Sequence, residues 1–132
     1  MSNNKGIIDI SALSTPPEKH ELYTAKFFAD KGKNITFICP SSIPEVYRPD
    51  ILMDGKKMGN QITYRKRKKT IERNMHKAAK QSKYIIFDLR RIGLPEKQCL
   101  SQLKVEFEKR QYLCKLLIIT KANELLELSR ND

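Results

Sequence analysis

No tryptophan occurs in the 132 residues, and no uninterrupted apolar stretch exceeds four, Tyr84-Ile85-Ile86-Phe87 and Leu116-Leu117-Ile118-Ile119 being the longest. A helical membrane span needs about 20 consecutive apolar residues, so none is encoded. The opening stretch MSNNKGIIDISALS lacks a basic region followed by a long apolar segment and a small-residue cleavage site, so no secretion signal is expected. Cysteine is sparse: Cys39, Cys99 and Cys114 are odd in number and widely spaced. A disulfide framework or a zinc cluster would need pairs or CxxC units. Buried free thiols in a reducing, cytoplasmic setting are the expectation. His20 and His76 have no second His or Cys nearby, so no metal site is expected. Neither GxxxxGK[ST] nor GxGxxG occurs, which excludes the usual nucleotide-phosphate loops.

Acidic residues are also few, 15 Asp and Glu against 26 Lys and Arg, leaving a net charge of +11. The excess is local. Residues 65–83, RKRKKTIERNMHKAAKQSK, hold nine bases and one acid, or +8 of the total. Such concentration marks a polyanion-binding surface. A membrane-surface helix would need a broad apolar face, and this segment offers only Ile71 and Met75 as bulky apolar residues. Nucleic acid is the better partner, because phosphates reward dense Lys and Arg through counterion release. With 39% hydrophobic and 31% charged residues the chain is globular.

Residues 1–16 read as an N-terminal arm, loose or an edge strand, and 17–132 as a single domain. Thr15-Pro16-Pro17-Glu18 signals a helix start, Leu22, Ala25, Phe28 and Ala29 give its apolar stripe, and Gly32 its stop, so a helix is predicted over 17–31. Asn34 to Cys39 is β-rich, and the proline-rich stretch that follows is irregular as far as Asp50. Ile51-Leu52-Met53, the turn pair Asp54-Gly55 and a return strand over 56–64 follow. A helix over about 67–82 carries Ile71, Met75, Ala78 and Ser82 toward the core. Tyr84 to Leu89 is the strongest strand; a helix opens at Pro95 and runs to about 110. Strands over 114–120 and 125–128 close the chain around a turn at Ala122-Asn123. The fold class is α+β, a mixed and mostly antiparallel sheet with packed helices.

Two features carry candidate chemistry. Beside the apolar stripe of the basic helix runs a polar one, Thr70, Asn74, Lys77 and Gln81, suited to face a cleft, and Arg90-Arg91 put two guanidiniums at a strand end. The second is Arg48-Pro49-Asp50. Metal-dependent nucleases of the PD-(D/E)xK type place an Asp here and an acid-x-Lys on the next strand, to hold a divalent ion and orient water. The corresponding residues here are Gly59-Asn60-Gln61, with neither acid nor lysine, which makes a poor Mg²⁺ site.

The helix HELYTAKFFADKGKNITFICPS, the turn YRPDILMDGK, the block KKTIERNMHKAAKQSKYIIFDLRR and the closing LLIITKANELLEL together carry a resemblance over about 18–128. The chain resembles the C-terminal tRNase toxin domain of contact-dependent growth inhibition proteins (CdiA type), a domain also found on phage head-associated and mobile-element proteins. The resemblance implies a metal-independent, cofactor-free ribonuclease of the barnase–EndoU–colicin–RelE type that cleaves tRNA by attack of a ribose 2′-hydroxyl on the adjacent phosphate. Asp50 would then serve as base and Thr70 would orient phosphate or sugar, or they are a turn residue and a helix N-cap. Arg90, Lys68 and Lys69 would meet the developing phosphorane charge. Lys66, Lys68, Lys69, Arg73, Asn74, Lys77 and Gln81 would bind RNA. Relatives tend to read Trp-Glu-x-Lys after the Asp-Gly turn, where this chain has Met58-Gly59-Asn60-Gln61. A relative that binds RNA without cutting it is therefore the alternative. A toxin also implies an inhibitor, an acidic immunity protein covering the basic helix being the natural form.

Overall fold

A computed structural model describes residues 5–13, 16–38, 50–62 and 70–130, and the chain divides into two compact units, Met1–Lys57 and Met58–Asp132. The first contains β1 (Ile8–Asp9), α1 (Lys19–Ala29), β2 (Ile35–Ile38) and β3 (Asp50–Met53). Helix α1 starts where acid is available at its first turn: the Glu18 N–H donates to Glu21 Oε1 at 3.0 Å. It stops at Gly32, whose φ of 91° suits a residue without Cβ. There the Gly32 N–H reaches Ala29 O and the Lys33 N–H reaches Phe28 O, a Schellman closure. Thr24, Ala25, Phe28 and Ala29 are buried, and Leu22 is half-buried.

Of the two forms open to the N-terminal arm, Ile8–Asp9 adopts the edge strand, parallel to β2 with Ile8 opposite Ile35. Its docking depends on Gly6, whose N–H donates to Ala29 O at 2.7 Å. A Cβ at Gly6 would stand 1.7 Å from the Lys33 carbonyl oxygen. Strand β2 pairs antiparallel with β3, Phe37 opposite Ile51 and Ile35 opposite Met53, and all four are buried. The chain leaves β3 through Asp54 (φ 49°) and Gly55 (φ 86°), the pair of positive φ values of a type I′ turn.

The second unit takes up β4 (Lys56–Ile62) from Met58 and continues through α2 (Thr70–Gln81), β5 (Tyr84–Asp88), α3 (Glu96–Lys109), β6 (Lys115–Ile119) and β7 (Leu125–Ser129). Strands β4, β5 and β6 are parallel, and β7 returns antiparallel to β6. The α+β class and the mixed pairing are as the sequence implies. The parallel share is larger than an emphasis on antiparallel strands suggests, because α2 and α3 each carry the chain back to begin the next strand in the same sense. The tight return from β6 to β7 uses a loop with Asn123 in the left-handed region (φ 64°), closed by Thr120 N–H to Glu124 O at 2.8 Å.

One apolar cluster fills this unit. Ile71, Met75, Ala78 and Ala79 of α2 and Cys99, Leu103 and Phe107 of α3 cover Ile85, Phe87, Leu116 and Ile118 of the sheet. Cys99 is fully enclosed, and burial pushes its thiol pKa up; Cys114 is half-buried, and Cys39 lies outside the described residues.

Candidate nucleic-acid interface

Parallel β4, β5 and β6 finish together. Ile62 lies opposite Asp88, and Asp88 opposite Ile119, so the three strands end on one edge of the second unit. Each antiparallel-running helix must begin where its strand ends, which puts the first residue of α2, Thr70, on that same edge. Open parallel sheets bind ligands at the carboxyl ends of their strands, because the loops there are free of the ladder.

The loop after β5 is organised by a carboxylate. Arg90 donates from Nε to Asp88 Oδ1 at 3.0 Å and from Nη2 to Asp88 Oδ2 at 2.8 Å, while its backbone N–H also reaches Oδ1 at 3.0 Å. The two side chains are 9% and 3% exposed. From Nη1, Arg90 reaches Asn123 Oδ1 in the β6–β7 turn at 3.3 Å. Lys121 of that turn donates from Nζ to Leu94 O at 2.7 Å, and its N–H reaches Glu96 Oε1 at 2.6 Å. The two connections at this edge are thus stapled to each other. Arg91, by contrast, is exposed and makes no hydrogen bond or ion pair among the described residues.

Helix α2 presents a graded face. Thr70 is 5% exposed, Asn74 half-buried, and Arg73, Lys77 and Lys80 exposed. The Thr70 hydroxyl makes no hydrogen bond among the described residues, an unusual state for a buried polar group. Thr70 is the first residue of α2. A groove of about 300 Å³ between α2 and α3 is lined by Glu72, Ser101, Gln102, Val105, Glu106 and Lys109. Its two carboxylates give it the wrong sign for phosphate.

Residues 47–125 match the family model described as the contact-dependent growth inhibition CdiA C-terminal domain. The chain belongs to that family. It is accordingly a growth-inhibition toxin domain. Among solved structures it is similar to the CdiA-CT/CdiI toxin and immunity complex from Burkholderia pseudomallei, with a TM-score of 0.65 and 16% identity over 95% of this chain and 100% of that chain. At that identity the likeness speaks to fold alone. No curated protein matches the chain.

Every site residue expected from the sequence falls inside the span shared with the CdiA family. Thr70, Arg73, Asn74 and Lys77 come together on α2, and Arg90 shares their unit at the strand-end edge. Asp50 belongs to the other unit, where it opens β3 opposite Ile38. Lys66, Lys68 and Lys69 and the side chain of Gln81 lie outside the described residues. Three participants were not anticipated in these roles: Asp88 as the partner of Arg90, Asn123 as the acceptor that ties in the next turn, and Lys121 as the staple. The Asp-x-Arg spacing of 88–90 was the available signal for the first. Among the described residues no helix is long and apolar enough to cross a membrane, and no group of three or more His, Cys, Asp or Glu is placed to hold a metal ion.

Proposed function

We propose that this toxin domain acts on RNA, with tRNA as substrate, in the cytoplasm of the cell it inhibits. The observation that supports this most directly is the exposed cationic face of α2, Arg73, Lys77 and Lys80, continuing the basic run that begins at residue 65. In the proposed reaction a ribose 2′-oxygen attacks the adjacent phosphorus and the bond to the 5′-oxygen breaks, leaving a cyclic phosphate. One proton leaves the 2′-hydroxyl, for which Asp50 is the assigned base, and one is taken up by the departing 5′-oxygen. No water or metal enters that balance. Thr70, a buried residue whose hydroxyl has no hydrogen bond among the described residues, stands at the head of α2 and is assigned to orient the phosphate or sugar. Total tRNA incubated with the protein in EDTA should yield discrete fragments ending in 2′,3′-cyclic phosphate. Absence of cutting at every protein concentration would overturn the reaction.

A second reading has its own supporting observation. Where PD-(D/E)xK metal nucleases carry an acid-x-Lys on the strand after their Asp, the sequence of β4 reads Gly59-Asn60-Gln61. Gly59 supplies no carboxylate and Gln61 no ammonium, so these residues do not fit a divalent ion. On this reading the domain holds RNA without cutting it. Tight, salt-sensitive tRNA binding without products, and tRNA cutting regained by Gly59→Glu with Gln61→Lys, would establish it. Either way the basic face is the surface we assign to an acidic immunity partner, in keeping with the toxin–immunity pairing of the similar Burkholderia structure.

A further inference from the structure

We infer that Arg91 is the phosphate-contacting cation at the strand-end edge and that its neighbour Arg90 is a positioning residue acting through it; the inference rests on the RNA reading above. Adjacent guanidiniums at the end of a strand look equivalent in sequence, and the structure separates them. Three nitrogens of Arg90 are taken, Nε and Nη2 by Asp88 and Nη1 by Asn123, in a pair that is nearly closed to solvent. Its charge is cancelled within 3 Å by the Asp88 carboxylate. Turning Arg90 toward a phosphate would strand that buried carboxylate, an arrangement that proteins strongly disfavour.

Arg91 has the opposite surroundings. Its side chain is exposed, with no hydrogen bond or ion pair among the described residues. Its backbone is nevertheless held. The Ile92 N–H returns to Leu89 O at 3.3 Å, so Arg90 and Arg91 are the two central residues of a turn whose ends, Leu89 and Ile92, are buried in the core. The Arg90 N–H bond to Asp88 and the Arg90 link to Asn123 fix the same turn from two further directions. A cation on a rigid backbone loses little freedom on binding, and a planar guanidinium can grip phosphate oxygens in a bidentate manner. The turn also lies on the edge where α2 begins, so Arg91 places an exposed cation at the same end of the strands as the head of α2.

The test is tRNA affinity of the full chain measured across salt concentrations, with melting temperature recorded for each variant. Arg91→Ala should reduce the slope of log K against log salt by about 0.9, or about 0.7 if the contacted strand is single, without changing the melting temperature. Arg90→Ala should lower both affinity and melting temperature. Below both melting temperatures, Arg90→Ala should cost no further affinity in the Arg91→Ala background, because a residue that acts only through Arg91 has nothing left to position. An unchanged slope in Arg91→Ala overturns the assignment, as does a second slope loss in the double variant. Arg73→Ala with Lys77→Ala separates this failure from that of the RNA reading. If that pair weakens binding while Arg91→Ala does not, only the Arg91 assignment falls; if the unaltered chain binds no tRNA at low salt, the RNA reading falls with it.

Discussion

The guanidinium of Arg130 lies over the ring of Phe107, 4.0 Å from its centroid, and donates to the carbonyls of Phe107, Arg110 and Leu113. One side chain from the end of β7 thereby satisfies the carboxyl end of α3, where helix carbonyls otherwise lack partners. Arg130→Ala is expected to destabilise the second unit by about 2 kcal/mol, since hydrogen bonds from a charged donor and a cation–ring contact are lost together. Thermal unfolding should show a drop of about 8–16 °C for a unit of this size. Arg130→Lys, which keeps the charge and loses the planar fork, should recover only part of it.

Gly6 gives a second expectation, in the other unit. A methyl group there meets the Lys33 carbonyl, a backbone atom that cannot move aside without opening the closure of α1. Gly6→Ala should therefore release the β1 strand from β2 and cost about 1–3 kcal/mol. Gly55→Ala meets no atom within 4 Å and is strained only by its φ of 86°, for about 1–2 kcal/mol. Amide exchange at Ile35, whose N–H donates to Ile7 O at 2.8 Å, distinguishes the two, rising in Gly6→Ala alone.

Much of this architecture is legible in the chain because it is local. The α1 stop at Gly32, the Asp54-Gly55 turn and the Ile71–Met75–Ala78 stripe are each decided within a few residues. Strand direction is not local: YIIFD and KLLII read as buried strands in either sense, and only the helices between them force the parallel pairing. The candidate site is legible only as far as composition reaches, in the cations of α2. Arg90 shows where that reading stops, because a guanidinium's availability depends on Asp88 and on Asn123, which is 33 residues away. The division at residues 57 and 58 has no compositional marker either, since it expresses which distant segments pack together.

Cys99 supplies a pH dependence. Burial raises its thiol pKa from the ordinary 9.0, so the folded chain keeps the proton at pH values where the unfolded chain has lost it. The unfolded state then binds fewer protons, and stability falls as pH rises above about 9 until the folded thiol itself ionises. Below pH 9 the contribution is constant. Denaturant midpoints measured from pH 8 to 10.5 should show this decline, and Cys99→Ala should remove its share while costing stability at every pH through the cavity it leaves. In the native protein, iodoacetamide should modify half-buried Cys114 well before enclosed Cys99.

Thr70 sets stability against function. The residue is buried, and its hydroxyl is left without a hydrogen bond among the described residues, a state that costs about 1–3 kcal/mol relative to a satisfied one. A methyl group of the same shape carries no such cost, so Thr70→Val should leave α2 intact and raise stability by about 1 kcal/mol. If the hydroxyl is kept to meet phosphate or sugar, the same substitution should reduce tRNA cutting, or tRNA affinity where the domain only binds, while Thr70→Ser preserves it. A more stable Thr70→Val protein that handles tRNA as well as the unaltered chain would assign the buried hydroxyl no part in recognition. A less stable one would show that the hydroxyl serves the helix start after all. The combination of gained stability and lost action on RNA is the outcome that the proposed role of Thr70 predicts, since functional polar groups are retained where packing alone would select against them.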